Sequence, residues 1–171
     1  IISELSTIYS LRAIFFISNK SNIFIAGADI KEIESVTTVE EGIQKAEKGQ
    51  KVLNMMEHLE TPTVSVIDGA CLGGGMEFAL ACTYRIATDN PKTKLGQPEV
   101  MLGIIPGFGG TFRLPRLIGL SESLKLNLSG KTVSGKNALR TGLVDRLFPQ
   151  TDLEKFILRF VDEIKGVPQR K

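Results

Sequence analysis

The most constraining feature of this sequence is a run of three glycines, at positions 73 to 75, that leads into a wholly apolar segment. The apolar segment, residues 76–82, contains a single charged residue, Glu77. A helix that is apolar on every side is expected to be buried. A carboxylate inside such a helix costs several kcal/mol unless it is paired, hydrogen-bonded or protonated. The pattern therefore predicts a buried helix and suggests a functional reason for its charge.

Strand-like and helix-like segments alternate along the chain. Short runs rich in Ile, Val and Phe, bounded by turn-forming residues, predict buried strands. Thr38 followed by Glu41 is a capping-box pattern, and the helix that it opens should end before Pro62, because proline disfavours a helical residue ahead of it. The alternation predicts a layered α/β fold. The predicted strands are 11–18, 23–25, 64–67 and 85–88, and the further predicted helices are 111–118, 121–128, 135–141 and 153–165.

Composition narrows the class of protein. The 171 residues, 42% of them hydrophobic, are enough for one domain with a real core, and we expect a single domain over residues 1–171. Basic and acidic residues number 21 and 19 and are interspersed, which argues against a nucleic-acid-binding surface. Two cysteines are too few for a disulfide framework and favour a reducing compartment. No uncharged apolar run reaches the ~18 residues of a membrane span.

The chain opens on Ile1 rather than Met, and residues 1–5 have the pattern of a helix already under way. We therefore expect an N-terminally truncated chain.

The glycine run lies where a predicted strand gives way to a helix. Glycine permits close backbone approach, and a helix N-terminus presents unpaired N–H groups and a positive dipole end. Such a junction suits an anion or a developing oxyanion, with Glu77 within one helical turn of it. A glycine-lined helix contact with a structural carboxylate explains the same residues. The glycine pattern alone leaves both interpretations open.

Sequence patterns of several other chemistries are missing. Neither glycine cluster, at residues 73–75 or 107–110, has G-x-G-x-x-G spacing or a following Walker-type lysine. No G-x-S-x-G motif occurs, and the single histidine, His58, lies in a predicted helix beside Glu57, where a solvated structural role is favoured. One histidine and two distant cysteines predict no metal site.

Glu99 is the second carboxylate in an apolar setting, between Pro98 and Val100 and 22 residues after Glu77. That spacing is compatible with a helix, a strand and a return to the same pocket. If the two carboxylates converge, repulsion and desolvation would raise at least one pKa towards neutrality, as paired acid and base catalysis requires. Two independent structural carboxylates remain the alternative on spacing alone.

Four segments in order carry a family resemblance: IAGADIK at 25–31, GACLGGGME at 69–77, PEV at 98–100 and GIIPGFGGT at 103–111. Their order and spacing resemble the crotonase (enoyl-CoA hydratase/isomerase) superfamily. With LPRLIG at 114–119 and GLVD at 142–145, the chain is most similar to the hydratase part of the multifunctional α subunit of fatty-acid β-oxidation.

The resemblance implies a crotonase-like spiral of ββα units in residues 1–120 and a helical C-terminal region in residues 121–171. That region would serve contacts between subunits or with further domains of a multifunctional chain. Family members have a further N-terminal stretch of two strands and a helix, which is absent from this sequence.

The resemblance also implies a site. Glu77 and Glu99 match the two hydratase carboxylates, and the backbone N–H groups of Ala28 and Gly74 would form an oxyanion hole around an acyl-CoA thioester carbonyl. The residues that would meet the CoA moiety are Ala26, Asp29, Ile30 and Lys31, with Lys31 a phosphate partner or simply a solvated lysine.

The implied reaction is addition of water to a trans-2-enoyl-CoA, which yields a 3-hydroxyacyl-CoA. Glu77 would deprotonate the water and Glu99 would protonate C2, with no cofactor beyond the CoA of the substrate and no metal. Two alternatives stay open: Δ3–Δ2 enoyl-CoA isomerisation as the main activity, or a non-catalytic binding protein on the same scaffold. We expect a cytoplasmic protein, with the mitochondrial matrix as the alternative.

Two positions depart from the family pattern. Gln97 stands where a small or apolar residue is more usual, and Phe112 stands where a glutamine is common. Neither change removes a chemical group that the implied reaction needs.

Overall fold

A computed structural model describes residues 11–27 and 29–165, so Ala28 and the helix-like opening segment 1–5 lie outside the described residues. In these ranges the strands are β1 (Ile14–Ile17), β2 (Ile23–Ile25), β3 (Thr63–Ile67), β4 (Ala70–Leu72), β5 (Tyr84–Thr88), β6 (Lys94–Gly96), β7 (Thr132–Ser134) and β8 (Arg146–Phe148). The helices are α1 (Ile30–Glu34), α2 (Val39–Glu57), α3 (Gly74–Ala81), α4 (Gly110–Ile118), α5 (Leu120–Ser129), α6 (Gly135–Thr141) and α7 (Leu153–Glu163), with 3₁₀ turns at Pro98–Leu102 and Gln150–Asp152.

From β1 to β6, consecutive strands enter two different sheets. The first sheet has the order β1-β3-β5-β8 with all pairs parallel, and the second has the order β2-β4-β6-β7, in which only β7 is antiparallel. Each pair of strands, one per sheet, is followed by helical structure before the next pair begins. This arrangement is a spiral of ββα turns, and it confirms the predicted α/β fold.

The buried strands follow the apolar runs in the sequence. All five residues of β3 and all five of β5 are buried, as expected for parallel strands covered on both faces. Helix α3 is buried along most of its length and packs beneath the second sheet, with Met76 and Ala79 fully inaccessible. The burial predicted from the apolar pattern of residues 76–82 is therefore confirmed.

Four strands were not indicated by the sequence pattern: β4, β6, β7 and β8. Each is three residues long, and β6 to β8 mix polar and apolar residues, so none has a readable period. Their strand character comes from pairing with distant neighbours, as when Ile86 to Thr88 of β5 pair with residues 146–148. The chain beyond residue 120 thus adds one strand to each sheet, in addition to its helices.

Helix α2 begins as the capping pattern predicted, with one difference. The Thr38 side chain accepts a hydrogen bond from the Glu41 N–H at 3.2 Å. The Glu41 carboxylate reaches one residue further back than in a capping box and accepts from the Thr37 N–H at 2.9 Å.

The apolar stripe of α7 covers the first sheet. Phe160 is buried against Tyr84, and Phe156 stacks on Phe148 with ring centroids 4.5 Å apart. None of the helices within residues 11–27 and 29–165 is long and apolar enough to cross a membrane.

Candidate active site

The second sheet assembles the site at the carboxyl ends of its parallel strands. Strands β2, β4 and β6 run side by side, with Ile25 paired to Cys71 and Leu72 paired to Gly96. The loops that leave these strands therefore meet at one edge, which is where ligands bind in open α/β sheets. The Gly73 N–H bonds the Gly96 carbonyl at 3.0 Å and joins two of these loops.

Glu77 is held by the backbone of a glycine-rich turn. Its side chain is 2% exposed, and Oε1 accepts hydrogen bonds from the N–H groups of Phe108 at 2.7 Å and Gly110 at 2.8 Å. Both bonds end on the same oxygen, Oε1. The charge that the sequence placed in an apolar helix thus has two specific donors.

Glu99 lies on the 3₁₀ turn after β6 and is also buried, at 8% exposure. Its Oε1 would be 3.0 Å from a Cβ built on Gly73, and the Cα of Gly27 would be 3.6 Å from that Cβ. Gly73 itself has φ +54° and ψ −128°, a conformation that side-chain-bearing residues rarely adopt. Gly73 is therefore the narrow point at which the Glu99 carboxylate and the loop after β2 meet.

The side chain of Gln97 is fully inaccessible to solvent and lies between Glu99 and the glycine-rich turn that holds Glu77. With its amide oriented to donate, Nε2 is 3.1 and 3.2 Å from the two oxygens of Glu99 and 3.3 Å from the Gly73 carbonyl. The other arm of the amide occupies the space that a Cβ on Gly110 would take, and the Gly110 N–H in turn bonds Glu77. The Gln97 amide thus lies against Glu99 on one side and against Gly110, a donor to Glu77, on the other.

The two carboxyl groups differ in their proton affinity. Burial raises the pKa of Glu99 to about 7, and the negative charge of Glu77 adds to the rise. Burial also raises the pKa of Glu77 above its ordinary value, but the N–H groups of Gly110 and Phe108 and the charge of Arg113 oppose that rise. The site therefore places a carboxyl group with a pKa near neutrality beside one in which fixed donors and a cation offset part of the effect of burial.

Helix α3 begins directly after Gly73, in the glycine run. Gly73 provides no side-chain cap, and the first N–H groups of a helix, including that of Gly74, have no acceptor within the helix. The tight packing of Gly75 against the Ile25 backbone brings this terminus against β2.

The other candidate residues lie on the segment that follows β2. Ala26, Asp29 and Lys31 are exposed, and Asp29 caps α1 by accepting from the Lys31 N–H at 2.9 Å. Ile30 is the first residue of that helix, and Ala28 lies outside the described residues. The exposed side chains are open to a ligand, and the adjoining Gly27 places this segment beside Gly73.

Comparison with known protein families identifies the family of this chain. Residues 2–170 match the family model described as enoyl-CoA hydratase/isomerase. The chain belongs to this family. The family resemblance inferred from the four sequence motifs is confirmed.

Two curated relatives are similar over most or all of the chain. Both are named fatty acid oxidation complex subunit alpha: that of Shewanella loihica is 45% identical over 89% of this chain, and that of Vibrio parahaemolyticus is 44% identical over 100%. The chain spans only 22% and 24% of their lengths.

Solved structures of the enoyl-CoA hydratase/isomerase family superpose closely. An enoyl-CoA hydratase from Bacillus anthracis is 34% identical with a TM-score of 0.87, over 96% of this chain and 62% of that one. A Geobacillus kaustophilus protein, also named as an enoyl-CoA hydratase, is 32% identical with a TM-score of 0.89, over 95% of this chain and 61% of that one.

The structure adds residues that the sequence pattern did not single out. Gln97 was noted only as a departure from the family pattern, yet it contacts Glu99. The glycine-rich turn, noted for its motif, supplies the donors to Glu77, and Arg113 lies behind that turn. Phe112, the second departure, is 55% exposed and carries Arg116 over its ring. The sequence signal available for Arg113 was a charged residue placed between two apolar ones, Phe112 and Leu114.

Residues 11–27 and 29–165 contain no group of three or more His, Cys, Asp or Glu arranged to hold a metal ion. His58 is exposed, and its Nδ1 lies 2.7 Å from the Asn54 carbonyl at the end of α2.

Proposed function

We propose that this protein adds water to trans-2-enoyl-CoA thioesters in fatty-acid β-oxidation, with Glu77 and Glu99 as the catalytic pair. The observation that carries the proposal is the convergence of two buried carboxyl groups, unlike in proton affinity, beside the uncapped N-terminus of α3. The family membership and the names of the relatives support the same reaction.

In the proposed mechanism, Glu77 accepts a proton from a water molecule whose oxygen bonds to C3 of the substrate. The π electrons shift onto the thioester, and the enolate oxygen is held by the N–H groups of Gly74 and Ala28. Glu99 then gives its proton to C2, which completes the 3-hydroxyacyl-CoA. Fixed N–H donors at a developing oxyanion are worth about 3 kcal/mol of barrier each.

The division of labour follows from the contacts of each carboxyl group. Two backbone donors stabilise Glu77 as the carboxylate that a base requires. A pKa of about 7 lets Glu99 hold a transferable proton at neutral pH. The segment after β2 would meet the CoA moiety of the substrate, and Lys31 would face its phosphates. The candidate contacts on this segment are Ala26, Asp29, Ile30 and Lys31.

The test follows loss of the conjugated thioester absorbance of crotonyl-CoA, using purified full-length protein and its Glu77→Gln and Glu99→Gln variants. We expect each substitution to lower kcat about 1,000-fold while CoA-ester binding is retained, because only proton transfer is removed. Glu40→Gln, an exposed glutamate on α2, is the matched control. Undiminished turnover in either variant removes that residue from the mechanism.

The same assays separate the alternatives. Faster conversion of a 3-enoyl-CoA than of crotonyl-CoA would make isomerisation the main activity, and thioester binding without turnover would indicate a binding protein. We place the protein in the bacterial cytoplasm, because its curated relatives are bacterial fatty acid oxidation subunits. There it would contact further domains or subunits.

A further inference from the structure

A buried arginine lies directly behind the turn that holds Glu77. Arg113, on the first turns of α4, is 7% exposed, and its Nη1 donates to the Phe108 carbonyl at 3.0 Å. The N–H group of the same residue, Phe108, donates to Glu77. The backbone of Phe108 is therefore bonded on one side to the carboxylate and on the other to the guanidinium.

The remaining donors of Arg113 are anchored on helix α2. Nη2 donates to the Asn54 side chain at 2.6 Å, and Nε donates to the Glu57 carboxylate at 3.0 Å. All three nitrogens of the guanidinium are thus engaged, and each bond ends on a different residue. A planar guanidinium held at three points has one orientation, so it also restricts the carbonyl that it binds.

The backbone of the turn is shaped to the guanidinium. Gly109 has φ +107°, and a Cβ at this position would collide with Nη1 of Arg113. Gly110, the next residue, supplies the second N–H donor to Glu77. Arg113 therefore fills the space that a side chain at residue 109 would take and fixes the turn that presents both donors.

We propose that Arg113 is the positioning residue for Glu77: through the Phe108–Gly110 turn it aims the two backbone donors at the carboxylate. This inference rests on the proposed function, in which Glu77 is the base. Asn54 and Glu57 extend the arrangement to the surface of α2 and hold Arg113 in place.

The charges that face Glu77 agree with this role. Arg113 is the cation from α4, and Glu99 is the carboxyl group from the 3₁₀ turn. Glu57, from α2, neutralises part of the Arg113 charge across a 2.9 Å ion pair. Arg113 acts on the pKa of Glu77 but is not among the groups that shift Glu99, so its effect on catalysis has a distinct pH signature.

The experiment compares pH profiles of kcat for crotonyl-CoA hydration by wild type, Arg113→Met and Arg113→Lys. We expect Arg113→Met to lower kcat by about 30-fold and to move the acid limb up by about one pH unit, because Glu77 becomes easier to protonate. The alkaline limb, which belongs to Glu99, should stay in place. Arg113→Lys keeps the positive charge but lacks the planar guanidinium. The acid limb should therefore lie at its wild-type position while kcat recovers only in part.

Arg116→Met is the matched control, since Arg116 lies one turn along α4, is exposed, and touches neither the turn nor α2. It should leave both limbs unchanged. If Arg113→Met does not fold, Asn54→Ala removes one anchor of the guanidinium without changing any charge, and it should reduce kcat and move the acid limb up.

An unmoved acid limb in a folded Arg113→Met protein overturns the inference and leaves Arg113 as a structural tie between α2 and the turn. If the Arg113→Met protein does not fold, an unmoved acid limb in Asn54→Ala overturns the inference equally. Failure of the proposed function looks different, because wild type itself would then show no hydration.

Discussion

Glu77 and Glu99 are the same residue type in two differently built regions, and the difference decides what each can do. Glu77 is surrounded by fixed donors: two backbone N–H groups and, behind them, Arg113. Glu99 has burial and a like charge nearby, and its donors are its own backbone N–H and the neutral side-chain amide of Gln97. A pKa therefore follows the contacts that the fold supplies rather than the side chain itself.

The largest expected effect on the contrast between the two regions comes from adding a side chain at Gly73, the narrow point between them. Gly73→Ala puts a methyl group 3.0 Å from Glu99 Oε1 in a backbone conformation that alanine resists. Displacement of Glu99 and of the adjacent Gly74 N–H should lower kcat for crotonyl-CoA by about 100- to 1,000-fold.

Gly119→Ala provides the control for backbone strain. Gly119 has φ +81°, but nothing lies within 4 Å of a Cβ built there. Gly119→Ala should lose stability because alanine resists this φ, while kcat should stay within about twofold of wild type because the new methyl group displaces no neighbour. Equal losses of kcat in the two variants would show that Gly73 matters for strain alone.

The next effect is on stability and concerns Glu99. Its folded-state pKa, about 7, lies above the ordinary value of 4.5, so the folded chain retains a proton that the unfolded chain has lost in this window. The free energy of unfolding therefore falls as pH rises through the window. Glu99→Gln cannot ionise, and it should be more stable than wild type at about pH 8, by at most about 3 kcal/mol.

Denaturant unfolding at about pH 4 and about pH 8 measures this difference, which should vanish at the lower pH. Glu40→Gln removes the same charge from an exposed site and should show no pH-dependent gain. A gain for Glu99→Gln that is the same at both pH values would contradict the raised pKa.

The smallest expected effect is a change in the pH dependence of kcat when the side-chain donor to Glu99 is removed. Gln97→Met removes the amide that donates to Glu99, so the pKa of Glu99 should rise further and the alkaline limb of kcat should move up by about one pH unit. The acid limb should stay near its wild-type position, the reverse of Arg113→Met. Gln44→Met, on the exposed face of α2, is the control. A shift of both limbs would show that the amide couples the carboxyl groups into one titrating unit.

Different parts of the molecule were predictable to different degrees. The five-residue strands β3 and β5 have readable apolar runs. The burial of the Glu77 helix was predictable because the helix has no polar face. The short strands of the second sheet had no such period, because three residues carry too little pattern and their pairing partners are distant in sequence. The sheet that builds the site was thus the harder one to predict.

The sequence by itself determined the fold class, the burial of Glu77 and the family, because apolar periodicity, glycine placement and motif order are local properties of the chain. Which donors meet each carboxyl group was decided only by the tertiary structure. The donors to Glu77 come from residues 108 and 110, and the guanidinium behind them is anchored on α2. Proton affinity depends on such contacts and on burial, and both arise only when distant segments pack together.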